Sequence, residues 1–459
     1  MRGNVFKWNV MLMDLATLIL GFILCYELFN LNGILAQRMN TEILLLILAV
    51  TVLFVFSLFD LYTDWRRKDI QNSVYSIVLS MLVVYIGFTL FTFLSTDSYI
   101  NDISIAFLFT IETVFIVLLR LCVWFIDKKM FGKRKVAIIG DHEQSIAVLV
   151  EKFQNHNQGW FDIEGFLTAE NLKEIELSIH QYDIFVLSSE IHKDQKAQII
   201  SYCLRQEKEV MVVPEVIDLT VHGAITQQID DMPVISLSPP SLSLGGKVIK
   251  RIFDIAISVI LLIFSSPFII LLYICIPLTS KGSAIFKQER IGRNGKPFWI
   301  YKFRSMIQDA EMKTGPVLAS EKDPRVTILG RVLRATRLDE LPQLLNVLKG
   351  DMSLVGPRPE REFFIEMFKQ QLPDYSLRLT VKPGITGFAQ VQGNYSTSVE
   401  DKLRYDLMYI RNYSLILDVK ILLQTIRVVI QPKKARGITE PNRDLKLVKL
   451  EKKGSAISR

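Results

Sequence analysis

Between Arg337 and Glu360, the string RLDELPQLLNVLKGDMSLVGPRPE places two adjacent carboxylates, Asp339 and Glu340, ahead of an arginine held between Pro357 and Pro359. A carboxylate can act as a nucleophile, and a guanidinium on a proline-restricted turn can meet phosphate oxygens in pairs, so the combination points to phosphate chemistry. Leu341, Leu344, Leu345 and Leu348 have the spacing of one helix face, which predicts Asp339 near an N-cap. Backbone N–H groups and the helix dipole there favour negative charge by roughly 0.3–1 kcal/mol, so the carboxylate is expected to be ionised. An acidic pair at such a place is also an ordinary helix start, and alone it reads first as structure.

Basic residues converge on the same region. Arg325, Arg331, Arg334 and Arg337 lead up to the pair, with Arg334 five residues before Asp339. Arg334 and Arg358 are the favoured phosphate ligands, because two guanidiniums offset part of the charge of a pyrophosphate. The others read as phosphate or lipid-headgroup contacts. Tyr301, Lys302, Phe303, Arg304 and Ser305 alternate aromatic and basic residues, which predicts an extended segment with a cationic face. Cys25, Cys122, Cys203 and Cys275 show neither CxxC nor another ligand spacing, so they signal no disulfide or metal.

The elements that position these groups belong to a membrane protein. The chain has 459 residues, of which 50% are hydrophobic, and its mean hydropathy is +0.28, too apolar for one soluble domain. Its net charge of +7 gathers beside apolar runs, which favours anionic lipid and phosphate partners over nucleic acid. Four apolar segments, at about 8–29, 42–62, 75–95 and 103–126, approach the roughly 20 residues of a membrane span. Arg2 and Lys7 precede the first. Arg66, Arg67 and Lys68 separate the second and third, and Lys128, Lys129, Lys133, Arg134 and Lys135 follow the fourth. With Arg38 as the exception, both ends of this bundle are expected on the cytoplasmic side. The first span lacks a clear cleavage site, which argues against a removed signal peptide. Asp14, Glu27 and Glu112 lie within spans or at their edges, as a polar pathway or as structural and interfacial groups.

From Lys135 to about Pro240, the short apolar runs KVAIIG, DIFVLSS, EVMVVPEV and MPVISL alternate with helix-compatible stretches. They predict a small α/β module with a mostly parallel sheet. A dinucleotide site would want GxGxxG at the first strand-to-helix turn, and here only Gly140 remains, so a regulatory or oligomerising role is expected in place of nucleotide binding.

A hydrophobic run of about 27 residues follows, Ile252 to Leu278, longer as one straight helix than a bilayer core of about 30 Å. Lys247, Lys250 and Arg251 precede it, and Lys281, Lys287, Arg290, Arg293 and Lys296 follow it, so both flanks carry the cytoplasmic signature. Ser265, Ser266 and Pro267 interrupt it. The proline removes a donor, and the hydroxyls can satisfy freed carbonyls. A re-entrant hairpin breaking at Ser266 and Pro267 is expected, with a kinked spanning helix as the alternative. Tyr405 to Ile430 reads as an interfacial amphipathic helix or one packed on the domain before it, and the Lys-rich tail beyond Gln431 is expected to be drawn to anionic lipid.

The whole string from Arg337 to Glu360 resembles the signature of the bacterial sugar transferases, polyprenyl-phosphate hexose-1-phosphate transferases of the monotopic phosphoglycosyl transferase type. The resemblance covers about the last 190 residues, through KVIKRIFDIAISVILLIFSSPFIILL, YKFRSM, DPRVTILGRVLR, VKPGITGFAQVQG and YDLMYIRNYSLILDVKILLQTI in order. It implies a membrane α plus α/β fold of the larger, four-span type. A four-helix transmembrane domain (1–130) would precede a Rossmann-like α/β module (131–242), a mainly helical catalytic domain anchored by a re-entrant helix (243–435) and a basic tail (436–459). It implies transfer of a hexose-1-phosphate from a UDP-sugar to undecaprenyl phosphate with release of UMP, the first membrane step of exopolysaccharide, capsule or O-antigen synthesis. Asp339 would be the covalent nucleophile and a ligand of Mg²⁺ (or Mn²⁺), and Glu340 would position the nucleophile or the metal. Lys302 and Arg304 join Arg334 and Arg358 as candidate phosphate ligands. Glucose or galactose is the expected sugar, with an N-acetylated sugar as competitor, and the bundle and module could support a homodimer. A lipid-linked transporter fits less well, because the spans carry few interior polar groups. A non-catalytic scaffold or regulator of a polysaccharide assembly complex would not need Asp339, Glu340 and Arg358 intact.

Overall fold

The computed structural model describes residues 2–28, 41–63, 70–95, 102–156, 160–221, 225–237, 244–308, 310, 323–393 and 397–430. The orienting residues Arg38, Arg66, Arg67 and Lys68 and the tail 436–459 lie outside them. Two compact units form, one from Met1–Ile235 with Ile416–Arg427 and the other from Ser236–Leu415 with Val428–Arg459.

The first unit begins with helices α1 (Arg2–Leu28), α2 (Thr41–Leu58), α3 (Ile70–Ser95) and α4 (Asp102–Phe131), which coincide with the four apolar segments. Leu18, Val52, Phe56, Ile77, Met81 and Ile116 share one buried core, yet large apolar side chains such as Leu20, Leu46, Phe93 and Phe125 point outward. Helices that are apolar both inside and outside match a lipid surround. By length and composition, among the described residues, Ile70–Phe91, Ile105–Met130 and Gly245–Thr279 suffice to cross a membrane, and Leu45–Leu58 is a shorter apolar helix. Of the three acids, Asp14 pairs with Arg120 at 2.7 Å. Glu112 is buried with neither oxygen hydrogen-bonded among the described residues, and the Glu27 side chain lies outside them. The segment Ile416–Arg427 of helix Leu415–Ile430 packs here too, Lys420 and Gln424 donating to Asp60 at 3.0 and 2.9 Å. The stretch Tyr405 to Ile430 is therefore two helices rather than one, broken after Arg411.

The same unit carries β1 (Arg134–Ile139), α5 (Glu143–His156), β2 (Phe161–Leu167), α6 (Leu172–Ser178), β3 (Ile184–Leu187), α7 (Lys193–Arg205) and β4 (Glu209–Val212). The strands form a parallel sheet in the order β2-β1-β3-β4, as strands alternating with helices require. MPVISL does not join it. After α8 (Val216–Val221), β5 (Ile225–Ile229) and β6 (Met232–Ser236) pair in a separate two-stranded sheet, where Pro233 lacks the donor that a central strand would need.

In the second unit, α9 (Leu244–Thr279) is one helix with Pro267 and Pro277 inside it. The carbonyl of Ile263, which Pro267 cannot serve, accepts from the Ser266 hydroxyl at 2.8 Å. Strands β7 (Ile285–Ile291) and β8 (Pro297–Phe303) follow as an antiparallel hairpin. Then come α10 (Ile328–Thr336), a 3-10 turn (Leu338–Glu340), α11 (Gln343–Lys349), β9 (Ser353–Val355), α12 (Glu362–Gln371), β10 (Gly384–Thr386), α13 (Phe388–Gln392) and α14 (Val399–Arg411). The polar start of α9 is built into this unit. Arg251 donates to the carbonyls of Val347 and Leu348 at the end of α11, at 2.6 and 2.7 Å, and the Asp254 carboxylate accepts from Leu354 N.

Candidate active site

Asp339 and Glu340 lie in the 3-10 turn between α10 and α11, so Asp339 is not an N-cap as its spacing predicts. The helix begins at Gln343 behind Pro342, because proline suits a helix start and needs no N–H partner there. Asp339 is thereby left to make no side-chain hydrogen bond or ion pair among the described residues, and its Oδ1 is buried without a partner. Burial and the neighbouring Glu340 raise its pKa to about 6, against Lys302, Arg334 and Arg337. The N-cap support expected for its charged form is therefore absent, and its proton is held more tightly than in an ordinary carboxyl.

Glu340 has the opposite environment. Its Oε1 accepts from Lys302 Nζ at 2.9 Å and from Arg358 Nη2 at 3.1 Å. Burial alone would raise its pKa, but the charges of Lys302, Arg358 and Arg337 outweigh it and hold the group well below the usual carboxylate range. Glu340 is thus the permanent anion of the pair. Three chain segments meet on it: β8 brings Lys302, the 3-10 turn brings Glu340, and the Gly356–Pro359 turn brings Arg358.

Each segment is fixed by residues whose roles are not readable from pattern. Asn346, fully buried on α11, donates to Trp299 O at 2.7 Å and accepts from Tyr301 N at 3.1 Å, which sets the height of β8 and so of Lys302. The Arg358 carbonyl accepts from Arg378 Nη2 at 2.9 Å, and Arg290 donates to Pro359 O at 3.2 Å. Arg378 is buried against Asp406, at 2.9 Å from Nε, and Tyr375, at 2.7 Å from Nη1. Beneath the turn, Gly356 N donates to Thr386 O and Gly384 N to Pro357 O, both at 2.9 Å. A Cβ on Gly356 would meet the Lys382 carbonyl at 2.4 Å, and one on Gly384 would meet Gly356 N at 2.1 Å. Glycine at both positions lets VGPRP and KPGITG press together.

The remaining predicted residues separate. Arg334 stands beside Asp339 electrostatically, with its Nε bonded to Ser305 Oγ at 2.8 Å. Arg304 donates to the carbonyls of Ser280 and Lys281, at 2.7 and 2.6 Å, beyond the end of α9, where a cation complements unpaired carbonyls. Ser266 and Pro267 lie inside α9. Arg337, grouped in the sequence with the other arginines as a phosphate or lipid-headgroup contact, has a left-handed backbone at φ 59°, and its charge acts on both acids.

A buried carboxylate with a free oxygen, beside a cation-locked second acid and an arginine turn, can attack or hold an electrophilic phosphate. Comparison with known proteins agrees. Residues 245–432 match the family model described as Bacterial sugar transferase. Over 409 residues, the chain is 31% identical to the UDP-glucose:undecaprenyl-phosphate glucose-1-phosphate transferase of Klebsiella pneumoniae, covering 83% of this chain and 87% of that protein. It is 46% identical over 185 residues to the UDP-N-acetylgalactosamine-undecaprenyl-phosphate N-acetylgalactosaminephosphotransferase of Aeromonas hydrophila, 40% of this chain and 44% of that one. With the undecaprenyl-phosphate galactose phosphotransferase of Salmonella typhimurium it shares 39% identity over 202 residues, 41% of each chain. The chain belongs to the bacterial sugar transferase family and is a membrane-bound transferase.

Proposed function

We propose that the protein transfers a hexose-1-phosphate from a UDP-sugar to undecaprenyl phosphate through a covalent intermediate on Asp339. The observation that carries this reading is the contrast within the acidic pair: Asp339 has an unpartnered oxygen, while Glu340 is held by Lys302 and Arg358. Asp339 attacks the β-phosphorus of the donor. The bond from that phosphorus to the bridging oxygen breaks, and UMP leaves with the electron pair. An oxygen of undecaprenyl phosphate then attacks the acyl phosphate and returns the carboxylate, so the exchange is ping-pong. Glu340 keeps Lys302 and Arg358 in place, and Arg358 and Arg334 face the donor's phosphates.

A divalent ion fits this donor set in one way. No group of three or more His, Cys, Asp or Glu gathers among the described residues, which disfavours an all-protein cage. The unpartnered Asp339 oxygen suits Mg²⁺ (or Mn²⁺), which takes one or two carboxylates and completes its shell with phosphates and water. When bound it would neutralise phosphate charge.

In the same reading, residues 1–130 form a four-span bundle, 131–242 a Rossmann-like module and 243–435 the catalytic domain in the cytoplasmic membrane, with the site on the cytoplasmic face. The helix α9 enters and returns on that face. Its basic flanks support re-entry, and Pro267 inside the helix is the position at which it would bend. UDP-glucose is the first donor to test, because relatives matched along most of the chain are named for glucose. The test is UMP release by detergent-solubilised protein with undecaprenyl phosphate and Mg²⁺, across UDP-glucose, UDP-galactose and UDP-N-acetylgalactosamine. Release with one donor is expected, and no release from folded protein with any of them would refute the reading.

A further inference from the structure

Among the described residues, every cation whose charge acts on the acidic pair has a side-chain hydrogen bond except one. Lys302 and Arg358 are bonded to Glu340, and Arg334 is bonded to Ser305. Arg337 follows α10 directly and precedes the 3-10 turn, and its backbone N–H and carbonyl serve both, through Arg334 O at 3.4 Å and Glu340 N at 3.1 Å. Among the described residues, no hydrogen bond or ion pair holds its guanidinium. The residue is half-buried, and its charge acts on both Asp339 and Glu340.

The backbone makes the choice of arginine informative. Arg337 sits at φ 59° and ψ 14° at the helix end, a conformation that glycine adopts without penalty and asparagine more readily than other residues. A helix that needed only to stop would be served better by either. A long cation at a left-handed position, unpartnered and beside a carboxylate with a free oxygen, marks a place where backbone preference yields to a ligand.

We propose that Arg337 is a substrate-binding residue, which takes the pyrophosphate of the nucleotide donor at the oxygens nearest Asp339. This rests on the functional reading above and deepens it. It also separates two arginines in the motif: Arg334 is held in place by Ser305, whereas Arg337 waits for the donor. A guanidinium suits this task because it meets two phosphate oxygens at once, which lysine cannot do.

The test exploits the backbone. In the full chain in detergent, Arg337→Gly and Arg337→Asn remove the cation while keeping or easing the left-handed turn, and Arg337→Lys keeps the charge. The Gly and Asn variants are expected to melt at or above the wild-type temperature. Their donor KM should rise, lowering kcat/KM about 10- to 100-fold, and Lys should recover part of the loss. Wild-type kcat/KM in Arg337→Gly would overturn the assignment, as would activity losses that merely follow falling melting temperatures across the three variants. If wild-type protein turns over no nucleotide sugar, the functional reading fails by itself. Binding of UDP to wild type and Arg337→Gly then still decides the arginine: weaker binding to the variant supports it, and equal binding refutes it.

Discussion

Two buried clusters in the second unit join acids to arginines, and they differ in how completely the groups are matched. In one, Arg378 gives Nε to Asp406, Nη1 to Tyr375 and Nη2 to the Arg358 carbonyl. Its hydrogen-bonding capacity is largely spent, and Asp406 is almost wholly buried. In the other, Glu340 is equally well served by Lys302 and Arg358, but Asp339 beside it keeps a buried oxygen with no partner. Burying a carboxylate without a partner costs stability, and the fold bears that cost in one cluster only. The matched cluster is scaffold and the unmatched one is reactive. The two are joined, because the scaffold arginine holds the backbone of the arginine that faces Glu340.

The comparison is sharpest at the two aspartates. Asp339→Asn keeps the shape and removes the nucleophile, so turnover should fall by about 10⁴-fold or more. Its melting temperature should hold or rise. The pKa of Asp339 is raised from 3.8 to about 6 in the folded state. Its contribution to stability is therefore present below 3.8 and is lost as pH rises through about 6, and at neutral pH the substitution removes an unfavourable charge. Asp406→Ala reverses the pattern. It leaves Arg378 buried and unpaired and should destabilise the protein by about 3–5 kcal/mol, seen in thermal or denaturant unfolding, with activity lost through the fold. If Asp406→Ala proved stable and Asp339→Asn unstable, the division into scaffold and reactive clusters would be wrong.

Glu340→Gln should lie between them, lowering turnover about 100-fold by releasing Lys302 and Arg358 from their common anchor. It also carries a pH signature. Wild-type kcat/KM should fall by up to tenfold per unit as pH drops below about 6, where Asp339 takes up a proton. Removing the neighbouring negative charge should move that limb to lower pH, and an unmoved limb would mean that Asp339 is not the group titrating. Tyr375→Phe is the smallest change, removing one hydrogen bond to Arg378 at a cost of about 1 kcal/mol in unfolding experiments.

The contrast also explains what the sequence disclosed. Asp339, Glu340, Lys302 and Arg358 stand in unusual strings, and the structure brings Lys302 and Arg358 together on Glu340. Helices α1 to α4 follow from apolar length, and β1, β3 and β4 from short apolar runs bounded by polar residues. Strand β2, FDIEGFL, escaped because a glycine and two acids dilute its pattern. MPVISL was drawn into the wrong sheet because apolar content alone does not say whether a strand is central. The supporting residues were invisible for a different reason. Asn346 looks like one polar residue on a short helix, and Arg378 and Asp406 are far apart in sequence, so their bonds to Trp299, Tyr301 and Arg358 exist only in three dimensions. The N-cap expectation at Asp339 failed because Pro342 moved the helix start downstream.

The central claim is that Asp339 carries the sugar phosphate between two half-reactions. It is tested most directly by exchange of radiolabelled UMP into the cognate UDP-sugar by full-length protein with Mg²⁺ and no undecaprenyl phosphate. A covalent intermediate predicts exchange by wild type without acceptor and none by Asp339→Asn. Turnover with acceptor but no exchange without it would mean that the phosphate passes directly from donor to lipid, and would contradict the account.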